Sequence, residues 1–375
     1  MFTGALLLPS VPMAAGAIIG TVAYKIASIS KKKNLMSTLL SIATVLIVCS
    51  ISFGSSNVAT DEEMMNSLAN TLGGVDKYYF ISTWFTNGVN GDLLSFVLFA
   101  VVSIAVSGLL LILISKLYTP ICIGMSSVSS KRNFKMSEQK VKSVFANLYT
   151  KEIKRYFGSS VYLMNTIMGF ILAVGVSVSI LFLDTSTFEA EVGLPVSLFA
   201  SLMPIVIAAM CNTMPTTAAA ISMEGKYIWI LQTLPAPVGE VMKSKVAVNM
   251  TLALPSCLIA STCTVFAFGT NPIESVFAYL IPLTLTLFGS YLGLYVNLLN
   301  PMMNWDNETQ AVKQSKSALL TMFLLFASEF VAAILLIMLP PTLTAVGNLI
   351  IIAAFALGTV AIANKTAKFD LRKID

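Results

Sequence analysis

Apolar residues in this chain come in long runs separated by short polar stretches. Nine runs carry almost no charge, at about 4–24, 35–53, 94–115, 160–183, 194–212, 246–267, 275–299, 317–338 and 342–363. Each is close to the roughly 20 residues that one helix needs to cross ~30 Å of hydrocarbon. A helix satisfies its own N–H and C=O groups where lipid offers no partner, so the runs read as helices. The pattern predicts an all-α integral membrane protein with about nine transmembrane helices.

The polar junctions alternate in sign. Lys25, Lys31, Lys32 and Lys33 follow the first run. Asp61, Glu62, Glu63, Asp76 and Asp92, against the single Lys77, follow the second. The third junction is rich in Lys and Arg from Lys116 to Arg155, and the fourth holds only Asp184, Glu189 and Glu191. Lys226, Lys243 and Lys245 lie in the fifth, Glu274 alone in the sixth, and Lys313 and Lys316 in the seventh. The eighth is uncharged, and Lys365, Lys368, Arg372 and Lys373 lie in the tail. Every cation but Lys77 falls on one side, which the positive-inside rule assigns to the cytoplasm. The N-terminus is then outside and the C-terminus cytoplasmic, in a multi-pass protein. Lys25 comes after the first run rather than before it, so no cleavable signal peptide is expected.

Composition agrees. Apolar residues make up 56% and charged residues 11%, with a mean hydropathy of +0.84. A soluble domain carries about a quarter charged residues. The net charge of +5 resides in short inter-helix loops, which argues against nucleic acid as a partner. Histidine is absent, and Cys49, Cys122, Cys211, Cys257 and Cys263 form no CxxC pair. No metal site, no catalytic set and no enzyme activity are expected.

The first and seventh runs share a spacing. Pro9 precedes Gly16 and Gly20 as Pro282 precedes Gly289 and Gly293. Glycines four apart permit close helix approach. Both runs are followed by two more spans, so residues 1–116 read as a three-span partial repeat with an outer loop at 54–93. Residues 117–143 read as a cytoplasmic linker, and 144–375 as a complete six-span unit. The outer loop's Tyr78, Tyr79, Phe80, Trp84 and Phe85 are expected to anchor it at the membrane surface.

Two junctions carry more than a turn requires. In SVFANLYTKEIKRYFG (143–158), Phe145, Leu148, Tyr149, Ile153, Tyr156 and Phe157 share one helical face, and Lys151, Lys154 and Arg155 share the other. That is an amphipathic helix suited to the membrane interface. The junction 213–245 contains an apolar run from Tyr227 to Leu231, the breaker Pro235-Ala236-Pro237, then Glu240, Lys243 and Lys245. Apolar residues in a solvated loop point to a docking surface.

The order of KEIKRYF, two spans, EGKYIWILQTLPAPVGEVMKSK and four more spans resembles the permease subunit of type-2 ABC exporters. The stretch NWDNETQAVKQSKSAL resembles one bacterial branch of them, which implies a bacterial plasma membrane. The resemblance implies that Glu224, Gly225, Lys226, Trp229, Leu231, Leu234, Pro235, Lys243 and Lys245 form the ATPase-coupling loop. It implies that Lys151, Lys154, Arg155 and Tyr156 belong to the interfacial elbow helix. The partners implied are a separate ATPase subunit carrying ATP and Mg, membrane lipid and a second permease unit. No cofactor is expected in this chain: Gly225-Lys226 lacks the earlier glycine and the hydroxyl residue of a phosphate-binding loop, since Ala220 and Tyr227 stand in those places. No arginine neighbours Glu224 in sequence, and three spans of a twelve-span ancestor would be missing at the front.

Glu329 is the only ionisable residue well inside a run. A charge there costs on the order of 2.5–3.5 kcal/mol on permissive scales. It is expected to face the bundle or a cavity, as a substrate-binding group, a proton site or a hydrogen-bonded acid. A proton-coupled secondary transporter built on Glu329 and a non-transporting permease remnant are the alternatives to the exporter reading.

Overall fold

The computed structural model describes residues 80–126, 143–182 and 195–374, together with the helical positions Met13, Gly16 and Gly20. Among these the chain is helical, with no strand. Seven stretches are long and apolar enough to cross a membrane: Leu93–Ile112, Ser160–Ile180, Val196–Thr233, Val238–Phe268, Pro272–Leu299, Glu308–Met338 and Pro341–Ala367. They coincide with the last seven expected runs. The runs at 4–24 and 35–53, and Tyr78 and Tyr79 of the outer loop, lie outside the described residues. The chain divides into two compact units, Met1–Ser137 and Glu138–Asp375.

In the first unit, α1 (Phe80–Val89) and α2 (Leu93–Ser126) form a helical hairpin. Gly91 takes φ +108° at the turn, a backbone state open to glycine at little cost. Asp92 caps α2 by accepting from Leu94 N at 3.1 Å and Ser95 Oγ at 2.5 Å. Phe85 packs on the buried Phe99, with ring centroids 5.2 Å apart. The end of the expected outer loop, from Phe80 on, is therefore helix, with Phe85 packed on the facing helix. The span expected to stop at 115 continues to Ser126, into the expected linker.

The second unit comprises α3 (Val144–Gly158), α4 (Ser160–Ile180), α5 (Val196–Cys211), α6 (Ile228–Thr233), α7 (Val238–Phe268), α8 (Pro272–Leu299), α9 (Glu308–Lys313), α10 (Lys316–Met338) and α11 (Thr344–Ala367). Ser143 caps α3 and Ser159 caps α4, each hydroxyl accepting the N–H three residues on. The long α8 is the centre, packed against α5, α7, α10 and α11. The other long helix, α7, also packs on α3, α4 and α5. Outward faces are apolar, as at Leu254, Phe266, Phe330, Val331, Leu349 and Leu357, all exposed. Lipid is the solvent such a surface fits.

Small and polar residues hold the bundle together. Pro282 removes the N–H that would pair with the Ala278 carbonyl, and Ser261 Oγ on α7 donates to that carbonyl at 2.7 Å. A Cβ on Gly289 would stand 2.3 Å from Asn212 Oδ1, and one on Gly293 would stand 2.9 Å from Thr217 Oγ1. The expected contact face on α8 is thus real, but it receives the chain leaving α5. At Gly16 and Gly20 nothing among the described residues lies within 4 Å of a Cβ.

Candidate functional site

The chain between α5 and α7 does not behave as one solvated loop. From Pro215 to Gly225 every residue is buried. This stretch contains only two short 3-10 turns, Thr216–Ala218 and Ser222–Tyr227. A buried irregular backbone needs a partner for each polar group, and neighbouring helices must supply those it lacks. Asn249 Oδ1 on α7 accepts from Thr216 N at 2.8 Å. Asn297 Oδ1 on α8 accepts from Ile221 N at 2.7 Å and Ser222 N at 3.1 Å. Tyr162 Oη donates to Thr216 O at 2.6 Å, Ser317 Oγ to Ala218 O at 3.1 Å and Trp305 Nε1 to Ser222 O at 2.8 Å. The expectation of a cytoplasmic loop over all of 213–245 is corrected for its first third, which is built into the protein.

That segment ends at Glu224, in a cluster of five charges. Glu224 accepts from Lys245 Nζ at 2.8 Å and Lys151 Nζ at 3.1 Å, and from the Arg155 guanidinium. Glu152 Oε1 takes Lys245 Nζ at 3.0 Å and Lys151 Nζ at 3.4 Å, and its Oε2 takes Arg155 Nη1 at 3.3 Å. Lys245 completes its shell with Ala220 O at 3.0 Å and is 1% exposed. Burial works against the Arg155 charge, but the hydrogen bond to Glu224 and the charges of Glu152 and Glu224 outweigh it and raise its pKa further. Three cations surround two carboxylates, so the cluster carries one net positive charge. Burial of such a set is tolerable only with these partners in place.

Several expectations change here. Arginine does accompany Glu224: Arg155 comes from α3, far off in sequence. Lys151 and Arg155 are not simply the water-facing side of an interfacial helix, because both turn into the cluster. The buried face of α3 is Leu148, Glu152 and Tyr156. Burial also raises the Tyr156 phenol, partly offset by its hydrogen bond with Thr166, 2.9 Å away. Lys154 stays exposed. Lys245 belongs to the buried cluster rather than to a solvated exit, whereas Lys243 is exposed and pairs with Glu240 at 3.2 Å.

Beyond Glu224 the chain emerges through Gly225, at φ +53°, ψ −136°. The Trp305 ring lies 3.2 Å from the place a Cβ would occupy. Lys226 is exposed, and the short helix α6 follows. Its Ile228 and Leu231 face inward, with Leu231 4% exposed in a core shared with Val241, Met242 and Leu298. Tyr227 is 68% and Trp229 57% exposed, with Ile230 and Leu234 also outside. Gln232 Nε2 holds the C-terminal tail, donating to Leu371 O at 3.1 Å and Ile374 O at 2.9 Å. Pro235 then turns the chain into α7. The coupling-loop residues of the sequence reading therefore divide. Trp229, Lys226 and Leu234 are at the surface, whereas Leu231 is part of the core.

Glu329 lies apart from this cluster, on α10. It is 3% exposed, and Asn212 Nδ2 donates to its Oε1 at 2.7 Å. Glu152, Asn249, Asn297 and Trp305 were not singled out in sequence. Asn249 and Asn297 had a readable signal, as carboxamides inside apolar runs. The chain matches no protein family, no curated protein and no solved structure.

Proposed function

We propose that this chain is the membrane-embedded permease subunit of an ATP-driven exporter of the ABC type, with its charged end facing the cytoplasm and its ATPase a separate polypeptide. The observation that carries this reading is the exposed apolar surface of Tyr227, just before α6, and of Trp229 and Ile230 on it, mounted on a rigid base. That base is the buried segment 215–225, locked by the five-charge cluster and by Trp305. A force applied to α6 passes along the backbone through Gly225 to Glu224 and its ion pairs with α3 and α7, and through the hydrogen bonds of Gln232 into the tail. Large apolar side chains on a polar end of a membrane protein fit a partner's hydrophobic cleft. The cations Lys226 and Lys243 beside them favour the cytoplasmic side.

The test is affinity purification of the chain from its native membrane with mass spectrometry of what comes with it. A stoichiometric nucleotide-binding ATPase is expected, and Trp229→Ala should lose it while keeping the same melting temperature. Retention of the ATPase by that variant at wild-type stoichiometry would remove α6 as the dock. Transport that collapses with the proton gradient rather than with ATP would move the function to a proton-coupled carrier.

A further inference from the structure

Where α8 ends and α11 passes into the tail there is a groove of about 460 Å³. Lys365 on α11 lines it, with Lys368 and Lys373 from the chain just beyond. Lys373 joins the other two because the chain turns back after α11. Leu371 and Ile374 are buried in the same core as Leu231, and Gln232 Nε2 donates to both their carbonyls. The tail side of the groove is therefore fixed by packing. Lys365 Nζ stands 5.9 Å from the centroid of the Tyr295 ring, which forms a wall. None of the three lysines forms an ion pair with a described carboxylate. The one carboxylate lining the groove is Asp370, whose Oδ1 accepts from Arg372 N at 3.1 Å and caps the last turn. Three cations against this one anion give the groove a surplus of positive charge.

The groove begins where the apolar surface of α11 gives out. Leu357 and Val360 are 71% and 59% exposed. Asn364 and Lys368 follow them three or four residues apart, which keeps all four on one face. Lys368 lies ~12 Å beyond Val360 along the helix axis. From α8 the exposed Leu299 adds an apolar lip. A ligand suited to this place has an apolar body in the lipid and an anionic end beside it. A phosphate supplies several acceptor oxygens to several ammonium groups at once, and basic pockets between transmembrane helices hold phospholipid head groups in this way. The surplus of positive charge disfavours a head group that carries its own ammonium, as phosphatidylcholine does. We infer that Lys365, Lys368 and Lys373 form a site for the phosphate of an anionic phospholipid, whose acyl chains lie along Leu357 and Val360. The site is separate from the exposed face of α6 and needs no ATPase to be occupied.

The experiment is lysine acetylation of the purified full chain in phosphatidylcholine nanodiscs containing a rising fraction of phosphatidylglycerol, with each lysine's reactivity read by mass spectrometry. Lys365, Lys368 and Lys373 should be protected in parallel and saturably. Lys226, before α7, and Lys313, after α8, lie at the same end of the bundle and are exposed, so they report general attraction of lipid to that end. They should stay reactive. Lys368→Gln should raise the phosphatidylglycerol fraction that half-protects Lys365 and Lys373 by roughly fivefold, the worth of one lysine at an anionic surface. Lys313→Gln should leave it unchanged. Asp370→Asn keeps the cap, because asparagine caps as well as aspartate, and removes the one repelling charge, so it should lower that fraction. Equal protection of Lys226 and Lys313 would mean an unspecific charged surface and would overturn the site. Equal protection by inorganic phosphate in pure phosphatidylcholine would replace the lipid with a free anion and overturn it too. Should a variant not fold, the wild-type protection pattern still decides. Failure here leaves the ATPase test untouched, since no ATPase is present.

Discussion

At Gly225 two independent constraints meet, a positive φ and an indole ring 3.2 Å from any added Cβ. Gly225→Ala should cost on the order of 1–3 kcal/mol from backbone strain alone, and the Trp305 ring must also shift. Thermal melting of the purified protein, alongside Trp305→Phe, measures both. The charges of the cluster make a ranked prediction. Glu224→Gln leaves three cations facing one carboxylate, with Lys245 fully buried, and should cost about 3–5 kcal/mol. Lys245→Met leaves two cations facing two carboxylates and should cost less. The reverse order of melting temperatures would mean that the cluster is held by packing rather than by charge. Glu224, Lys245 and Arg155 were each visible in the sequence, but their meeting was not. Glu224 and Arg155 are 69 residues apart, and no periodicity connects α3 to this segment.

The short helix α6 shows how one element is both core and surface. Its apolar run reads as a single docking strip, because six residues are too few to separate two faces by pattern alone. Packing separates them: Ile228 and Leu231 point into the core, and Trp229 and Ile230 point out. Leu231→Ala should therefore lose about 2–5 kcal/mol of stability, as buried leucines do, and its effect on any partner would follow from that loss. Trp229→Ala should leave melting unchanged. The segment before α6 depends on carboxamides in its neighbours. Asn297→Leu strands the buried N–H groups of Ile221 and Ser222, at about 1–3 kcal/mol for each unsatisfied donor. Hydrogen exchange of those two amides should rise in that variant, while exchange in α4 stays at its wild-type level.

For the whole molecule, the orientation is open to a direct check. In a background with the native cysteines replaced, Lys226→Cys should react with a membrane-impermeant maleimide only from the cytoplasmic face. Asn271→Cys, in the short turn between α7 and α8, should react only from the outside. Labelling of both from one face would mean that α7 does not cross the membrane. Residue 226 precedes α7 and residue 271 follows it, so the pair tests one crossing of a helix running from 238 to 268.

Seven of the spans, the all-helical class and the amphipathic α3 were determined by the sequence itself. Hydrophobic length and helical periodicity are local properties, and a bilayer converts them into structure with few alternatives. Tertiary structure alone decided that residues 215–225 are buried and irregular. It also decided that Arg155 and Lys245 share Glu224, that Leu231 is core, and that Glu329 is buried beside Asn212. Each depends on side chains from helices far apart in the chain. A buried charge or a bare carbonyl is stable only where those partners converge, and convergence is a property of the packed bundle.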